Sequence, residues 1–172
     1  MEEKMLEIKT IDMSTKLDQI RKKHGPRYFF AEDASAEAAE LWGFQVYNDC
    51  GVVPSQVEKI VHLDSCQAEV RLAESVKGFW LMSISAHTSI SGISSCPNVF
   101  DSVGFDSRED AINAGAEEIK AFYQRELSTR PGANSSSHQI AIKKAIKLID
   151  QSQNQPLLDL FSPQPSGASH GR

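Results

Sequence analysis

Cysteine is scarce: only three occur in 172 residues, Cys50, Cys66 and Cys96, and no two are close enough to form a Cys-x-x-Cys pair. An odd, sparse set excludes a disulfide-dense secreted scaffold and fits a reducing cytoplasm. It also removes the usual framework of a structural zinc site, which holds thiolates and imidazoles tetrahedrally through paired ligands. Adding His62 and His87 leaves the spacing irregular. We therefore read the cysteines as small hydrophobes and expect no metal. Neither Gly-x-x-x-x-Gly-Lys-[Ser/Thr] nor Gly-x-Gly-x-x-Gly is present, so nucleotide-dependent chemistry has no support and no cofactor is expected. Long apolar runs are missing too; none approaches the roughly 18–20 residues that span a bilayer. The opening "MEEKMLEIKT" is acidic and polar, unlike a secretory signal. These shortages predict a cytoplasmic protein without a membrane partner.

Positive charge is the next shortage. Eighteen Lys and Arg stand against 23 Asp and Glu, a net charge of −5. That argues against a general polyanion binder, whose whole surface is normally basic, but leaves room for a local basic patch. A catalytic constellation is not legible either. His87 stands in "SISAHTSISGISSC" with Cys96 and Asp101 nearby in sequence, yet "SISGIS" lacks the first glycine of Gly-x-Ser-x-Gly. A Ser-rich hairpin loop is the favoured reading, and no catalytic residue is assigned.

What remains has the hydrophobic content, 40%, of a folded chain, and its length suits one domain with appendages. "MSTKLDQIRKKHGP" reads as a short helix that Ser14 can cap, with Leu17 and Ile20 on one side and Gly25-Pro26 as its stop. "AEDASAEAAELWG" places Ala34, Ala38, Leu41 and Trp42 together, with acids early and Gly43 at the end. From about residue 57, "VEKIVHL", "AEVRLAE" and "GFWLMSISAH" are rich in β-branched and aromatic residues and read as three strands. The last of these shows no single apolar face, which predicts a strand covered on both sides. "TSISGISSCPNVFDSVGF" reads as a long loop with a turn at Pro97-Asn98 and a short strand near Val99–Phe105. The helix "SREDAINAGAEEIKAFYQREL" follows, with Ser107 and Asp110 as a capping-box variant. Its stripe is Ile112, Ala116, Ile119, Phe122 and Tyr123, and Gly115 is expected to permit close packing on the sheet. A last helix, "HQIAIKKAIKLIDQ", aligns Ile142, Ala145, Ile146 and Ile149.

The predicted fold is α+β: a small, mostly antiparallel sheet with packed helices and a disordered C-terminal tail. One domain covers 1–150, with a helical part at 1–53, the sheet and long helix at 57–127 and the last helix at 137–150. Residues 151–172 form a flexible tail, polar and Pro-rich. Two basic groups are candidate nucleic-acid contacts: Arg21, Lys22, Lys23 and Arg27 in "RKKHGPR", and Lys143, Lys144 and Lys147 on the last helix. The plainer reading is cations complementing a helix dipole, plus a solvated face.

Within the tail, "QPLLDLF" sets large apolar side chains among Ser, Gln, Asn, Pro and Gly. This segment resembles the short peptide by which many bacterial replication and repair proteins bind the sliding clamp, commonly Gln-Leu-[Ser/Asp]-Leu-Phe. Leu158, Asp159, Leu160 and Phe161 match its last four positions, and Leu157 stands where the motif has Gln. The resemblance implies a sliding clamp as partner and Leu157–Phe161 as the partner-binding residues. "LLDLF" also resembles the clathrin-box peptide of endocytic adaptors, which normally ends in Asp or Glu where Phe161 stands. The alternative is a tail folded back on its own domain. The run from Gly78 to Leu127 resembles small accessory proteins of plasmids and phages, and is similar to HicB-type antitoxins at the helix start. There Phe105, Ser107, Glu109, Asp110 and Ala111 fit the pattern, whereas Cys96-Pro97-Asn98 replaces the antitoxins' Asp-x-Pro-Gly loop. The function implied is a non-enzymatic accessory protein of DNA replication, repair or a mobile element. An antitoxin-like regulator binding a protein toxin and operator DNA is the second expectation.

Overall fold

The alternation in the middle of the chain builds a three-stranded antiparallel meander, β2 (Gln56–Leu63), β3 (Cys66–Glu74) and β4 (Trp80–Thr88), in a computed structural model that describes residues 7–46, 48–129 and 136–154. Around it lie β1 (Thr10–Asp12), α1 (Ser14–His24), a 3-10 turn (Tyr28–Phe30), α2 (Glu32–Trp42), β5 (Gly92–Ser94), β6 (Val103–Phe105), α3 (Arg108–Thr129) and α4 (Ser136–Asn154). The sheet runs β1-β6-β4-β3-β2, with β5 also paired to β4, and every pairing is antiparallel. The α+β expectation holds. No helix among the described residues is long and apolar enough to cross a membrane.

Alternating side chains give the sheet two different faces. Cys66, Ala68, Val70 and Leu72 of β3, with Met82, Ile84 and Ala86 of β4, meet Ile112, Ala116, Ile119, Phe122 and Tyr123 of α3 and Ile142, Ala145 and Ile149 of α4. On the other face Ala73, Phe79 and Leu81 meet Leu17 and Ile20 of α1, Ala34, Ala38 and Trp42 of α2, and Val53, Val99 and Phe100 from loops. β4 thus contributes to both cores, as its mixed sequence predicts. Tyr123 ties α3 to the sheet, its hydroxyl donating to the Gln67 carbonyl at 3.2 Å. Burial pushes that phenol's pKa well above its ordinary value.

Several local expectations hold in detail. Asp110 N–H donates to Ser107 Oγ at 3.0 Å, and the Ser107 hydroxyl donates to Asp110 Oδ2 at 2.8 Å, closing the start of α3. Gly43 ends α2 in the left-handed region at φ 83°. Lys77, from the β3–β4 turn, donates to the Glu40 and Leu41 carbonyls at 2.7 and 3.1 Å, satisfying groups that the end of α2 leaves open.

Others are corrected. Ser14 is not the cap of α1: it lies inside the helix, and its N–H donates to Asp12 Oδ1 at 2.8 Å. A hydrogen bond from the Ser14 side chain, and then this backbone contact, hold the Asp12 carboxyl below its ordinary pKa. The N-terminal part, expected to be helical, also holds β1, whose Thr10–Asp12 pair with Phe105–Val103. The Ser/Gly-rich stretch, expected as loop, contains β5, paired with Ser85–His87 of β4. The predicted strand near Val99–Phe105 is confined to Val103–Phe105, and α4 runs on to Asn154.

Candidate functional site

The basic run closes α1, whose last turn carries Arg21, Lys22, Lys23 and His24, where cations complement the negative end of the helix dipole. Three of these are engaged within the domain. Arg21 Nη1 donates to Asp18 Oδ1 and Nη2 to the Phe100 carbonyl, both at 2.8 Å, and its guanidinium lies 5.7 Å from the Tyr28 ring centre. Lys23 Nζ and His24 Nε2 converge on Glu37 Oε2 at 2.9 and 3.0 Å. Hydrogen bonds from Lys23 first, and then His24, hold the Glu37 carboxyl below its ordinary pKa. Lys22 and Arg27 are exposed and form no ion pair among the described residues.

The second basic group does not join the first. Lys143, Lys144 and Lys147 are exposed on α4, whose Ile142, Ala145 and Ile149 pack into the opposite side of the sheet from Leu17 and Ile20. The two groups are separate surfaces.

Beside the first lies an aromatic cluster that the sequence reading passed over. Tyr28 and Phe29 ring centres are 4.7 Å apart, Tyr28 and Phe100 meet edge-on at 5.0 Å, and Phe29 and Phe100 lie 5.2 Å apart. Phe29 is 41% exposed and Phe30 77%. The available signal was "RYFF", which follows the basic run directly.

A third feature is polar. Where α1 and α2 leave the sheet uncovered, Lys59, His62, Gln67, Glu69, Arg71 and His87 line a shallow depression of about 350 Å³. Arg71 Nε and Nη2 donate to Glu69 Oε1 at 3.2 and 3.1 Å, while Nη1 reaches the Ser95 carbonyl and Cys96 Sγ at 3.4 and 3.3 Å. His87 Nε2 is 3.1 Å from Ser85 Oγ. Its other nitrogen lies over Gly92, where an added Cβ would come within 2.2 Å. Among the described residues no carboxylate is hydrogen-bonded to His87. Asp101 instead receives the Asn98 N–H at 2.9 Å and stabilises that turn.

Burial pushes the Asp101 carboxyl above its ordinary pKa, more than the Asn98 N–H lowers it. Its stabilising contribution is therefore complete below the unfolded value and declines as pH rises through the folded one. Asp101→Asn keeps an acceptor for Asn98 and removes the partly buried charge. The variant should melt slightly above the parent at pH 7, the difference closing as the pH falls below about 4. Thermal scans across that range check it; a lower Tm for the variant at neutral pH would contradict the assignment.

The dispersed Cys50, His62, Cys66, His87 and Cys96 set forms no cluster: among the described residues no three His, Cys, Asp or Glu side chains are placed to hold a metal ion. Burial raises the pKa of the Cys66 thiol, consistent with a small core hydrophobe. Leu157, Leu158, Asp159, Leu160 and Phe161 lie outside the described residues. No protein-family model, curated protein or solved structure matches this chain.

Proposed function

We propose that this protein is a non-enzymatic accessory factor of DNA replication or repair, or of a mobile element, that docks on a bacterial sliding clamp through Leu157–Phe161. The observation that carries this reading is where the motif falls. Among the described residues the last contribution to either core is Ile149, α4 ends at Asn154, and the apolar motif follows. Seating Leu158, Leu160 and Phe161 in a preformed groove gains roughly 1.5–3 kcal/mol each. Ordering the short backbone costs about 1–2 kcal/mol per residue. Most of the gain is offset, so the contact should be weak, on the order of micromolar. Pro156 and Pro163 on either side restrict the free chain and reduce the ordering cost.

A titration of the full chain against a purified bacterial clamp tests this. Leu160→Ala/Phe161→Ala should lower affinity by at least about a hundredfold while Tm stays within a degree or two of the parent. A large fall in Tm with clamp binding retained would instead mean that these side chains belong to the domain's own interior.

One observation favours a second reading, an antitoxin-like regulator. Phe105 ends β6, Ser107 and Asp110 close the helix start, and Ala111 is buried in the first turn of α3, so these residues of the HicB-like pattern form a strand-to-helix junction. Capping chemistry alone selects the same residues, which is why clamp docking is preferred.

A further inference from the structure

The end of α1 and the 3-10 turn after it carry, within nine residues of chain, two exposed cations without an ion pair among the described residues, Lys22 and Arg27, and the exposed rings of Phe29 and Phe30. We propose that this ledge binds single-stranded nucleic acid, with bases stacking on Phe30 and Phe29 and phosphates held by Lys22 and Arg27. The inference is independent of the tail and of what the tail binds.

Two adjacent phenylalanines, 41% and 77% exposed, leave apolar ring faces in water that an ordinary fold would cover. Every nucleobase has a π-face that can cover them, whatever its sequence. One of the two rings, Phe29, is held in place before any ligand arrives. Phe29 leans on Tyr28 and on Phe100, and Phe100 is only 4% exposed. Behind it, Arg21 bonds the Phe100 carbonyl and so fixes the 95–101 loop to α1. Lys22 and Arg27 stand on either side of the Gly25-Pro26 bend. They are the cations of this run that form no ion pair among the described residues.

Charge also sets the limits. Glu32 and Asp33 are exposed just beyond Ala31, which follows Phe30, and Asp18 and Glu37 neutralise much of α1. The ledge can therefore neutralise about two phosphates, and stacking must carry the rest of the affinity. A duplex, whose base faces already stack on one another, cannot supply that. A flexible single strand can also route its phosphates around Glu32 and Asp33, whereas the continuous anionic plane of a membrane cannot. The lysines of α4 lie beyond the opposite face of the sheet and play no part.

Fluorescence anisotropy of the full chain with labelled oligothymidylate, about 15 nucleotides long, tests the proposal. The parent should bind with a slope of log K against log salt of about −1.4, the value for two released counterions on a single strand. Phe30→Ala, at a position too exposed to threaten folding, should weaken binding by about tenfold. Lys22→Ala/Arg27→Ala should flatten the salt slope towards zero. Lys143→Ala/Lys144→Ala/Lys147→Ala should leave both unchanged, and a duplex of equal length should bind more weakly. The proposal is overturned by any of four outcomes: no binding by the parent, indifference to Phe30→Ala, loss of binding in the α4 triple variant, or Phe30-dependent capture by phosphatidylserine vesicles without oligonucleotide binding.

Discussion

Replacing Trp42 by Ala should cost about 3–5 kcal/mol of folding stability, the range for removing a buried tryptophan. Trp42 is the last residue of α2 and is fully buried. Its ring meets Phe79 edge-on at 6.0 Å and fills the space over β6, where a Cβ on Gly104 would come within 2.6 Å of it. Leu17, Leu81, Val99 and Phe100 complete the same core, so the cavity left by Ala would touch α1, α2, the sheet and the 95–101 loop together. At about 2–4 °C per kcal/mol for a chain of this size, Tm should fall by roughly 6–20 °C. Trp42 Nε1 has no hydrogen-bond partner among the described residues. Trp42→Phe removes that buried orphan donor while keeping most of the ring, so it should cost far less than Ala, within about 1.5 kcal/mol. Urea denaturation of the two variants checks both the size and the order. Equal losses, or an Ala variant that loses under about 1 kcal/mol, would mean that α2 does not pack on the sheet as described.

Which parts of this fold can be read from sequence follows from which parts are locally determined. The helix start at Ser107, the stripe Ile112–Tyr123 and the alternation of β2 to β4 are set by neighbours a few residues apart, and they stand where the sequence puts them. β1 and β5 hold three residues each, too few to show a period, and are strands only because β6 and β4 offer hydrogen-bonding edges. The last turn of α4 is Gln151–Asn154, with no apolar residue to mark it. The candidate sites divide the same way. "RKKHGPRYFF" shows that cations adjoin aromatics, but not that Phe100, arriving from a distant loop, packs on Tyr28 and Phe29 while Phe30 stays 77% exposed. That the two lysine-rich groups face away from each other depends on which side of the sheet each helix packs, and that is a property of the connections rather than of either helix.

The close approach of α3 to β3 gives the second large effect. By helix propensity alone, any side chain in place of Gly115 should help, Ala by about 1 kcal/mol. Packing says the opposite. A Cβ at Gly115 would lie 2.5 and 2.8 Å from the two Val70 methyls, closer than carbon atoms can settle. Val70 is fully buried at the centre of the sheet, paired with Glu58 on one side and Ile84 on the other, and its β-branched side chain has little rotamer freedom to move aside. The helix must lift, and with it Ile112, Ala116 and Ile119. Gly115→Ala should therefore lose roughly 1 kcal/mol net, once its propensity gain is set against overpacking. Gly115→Val, with two more methyl groups and a poorer helix former than Ala, should lose about 3 kcal/mol or more and lower Tm by roughly 6–12 °C. Pairing it with Val70→Ala makes the argument specific. The smaller residue vacates the space the new methyls need, so the double variant should be more stable than the sum of the single losses predicts, by about 1 kcal/mol or more. Strict additivity would show that the loss arises elsewhere than at this contact.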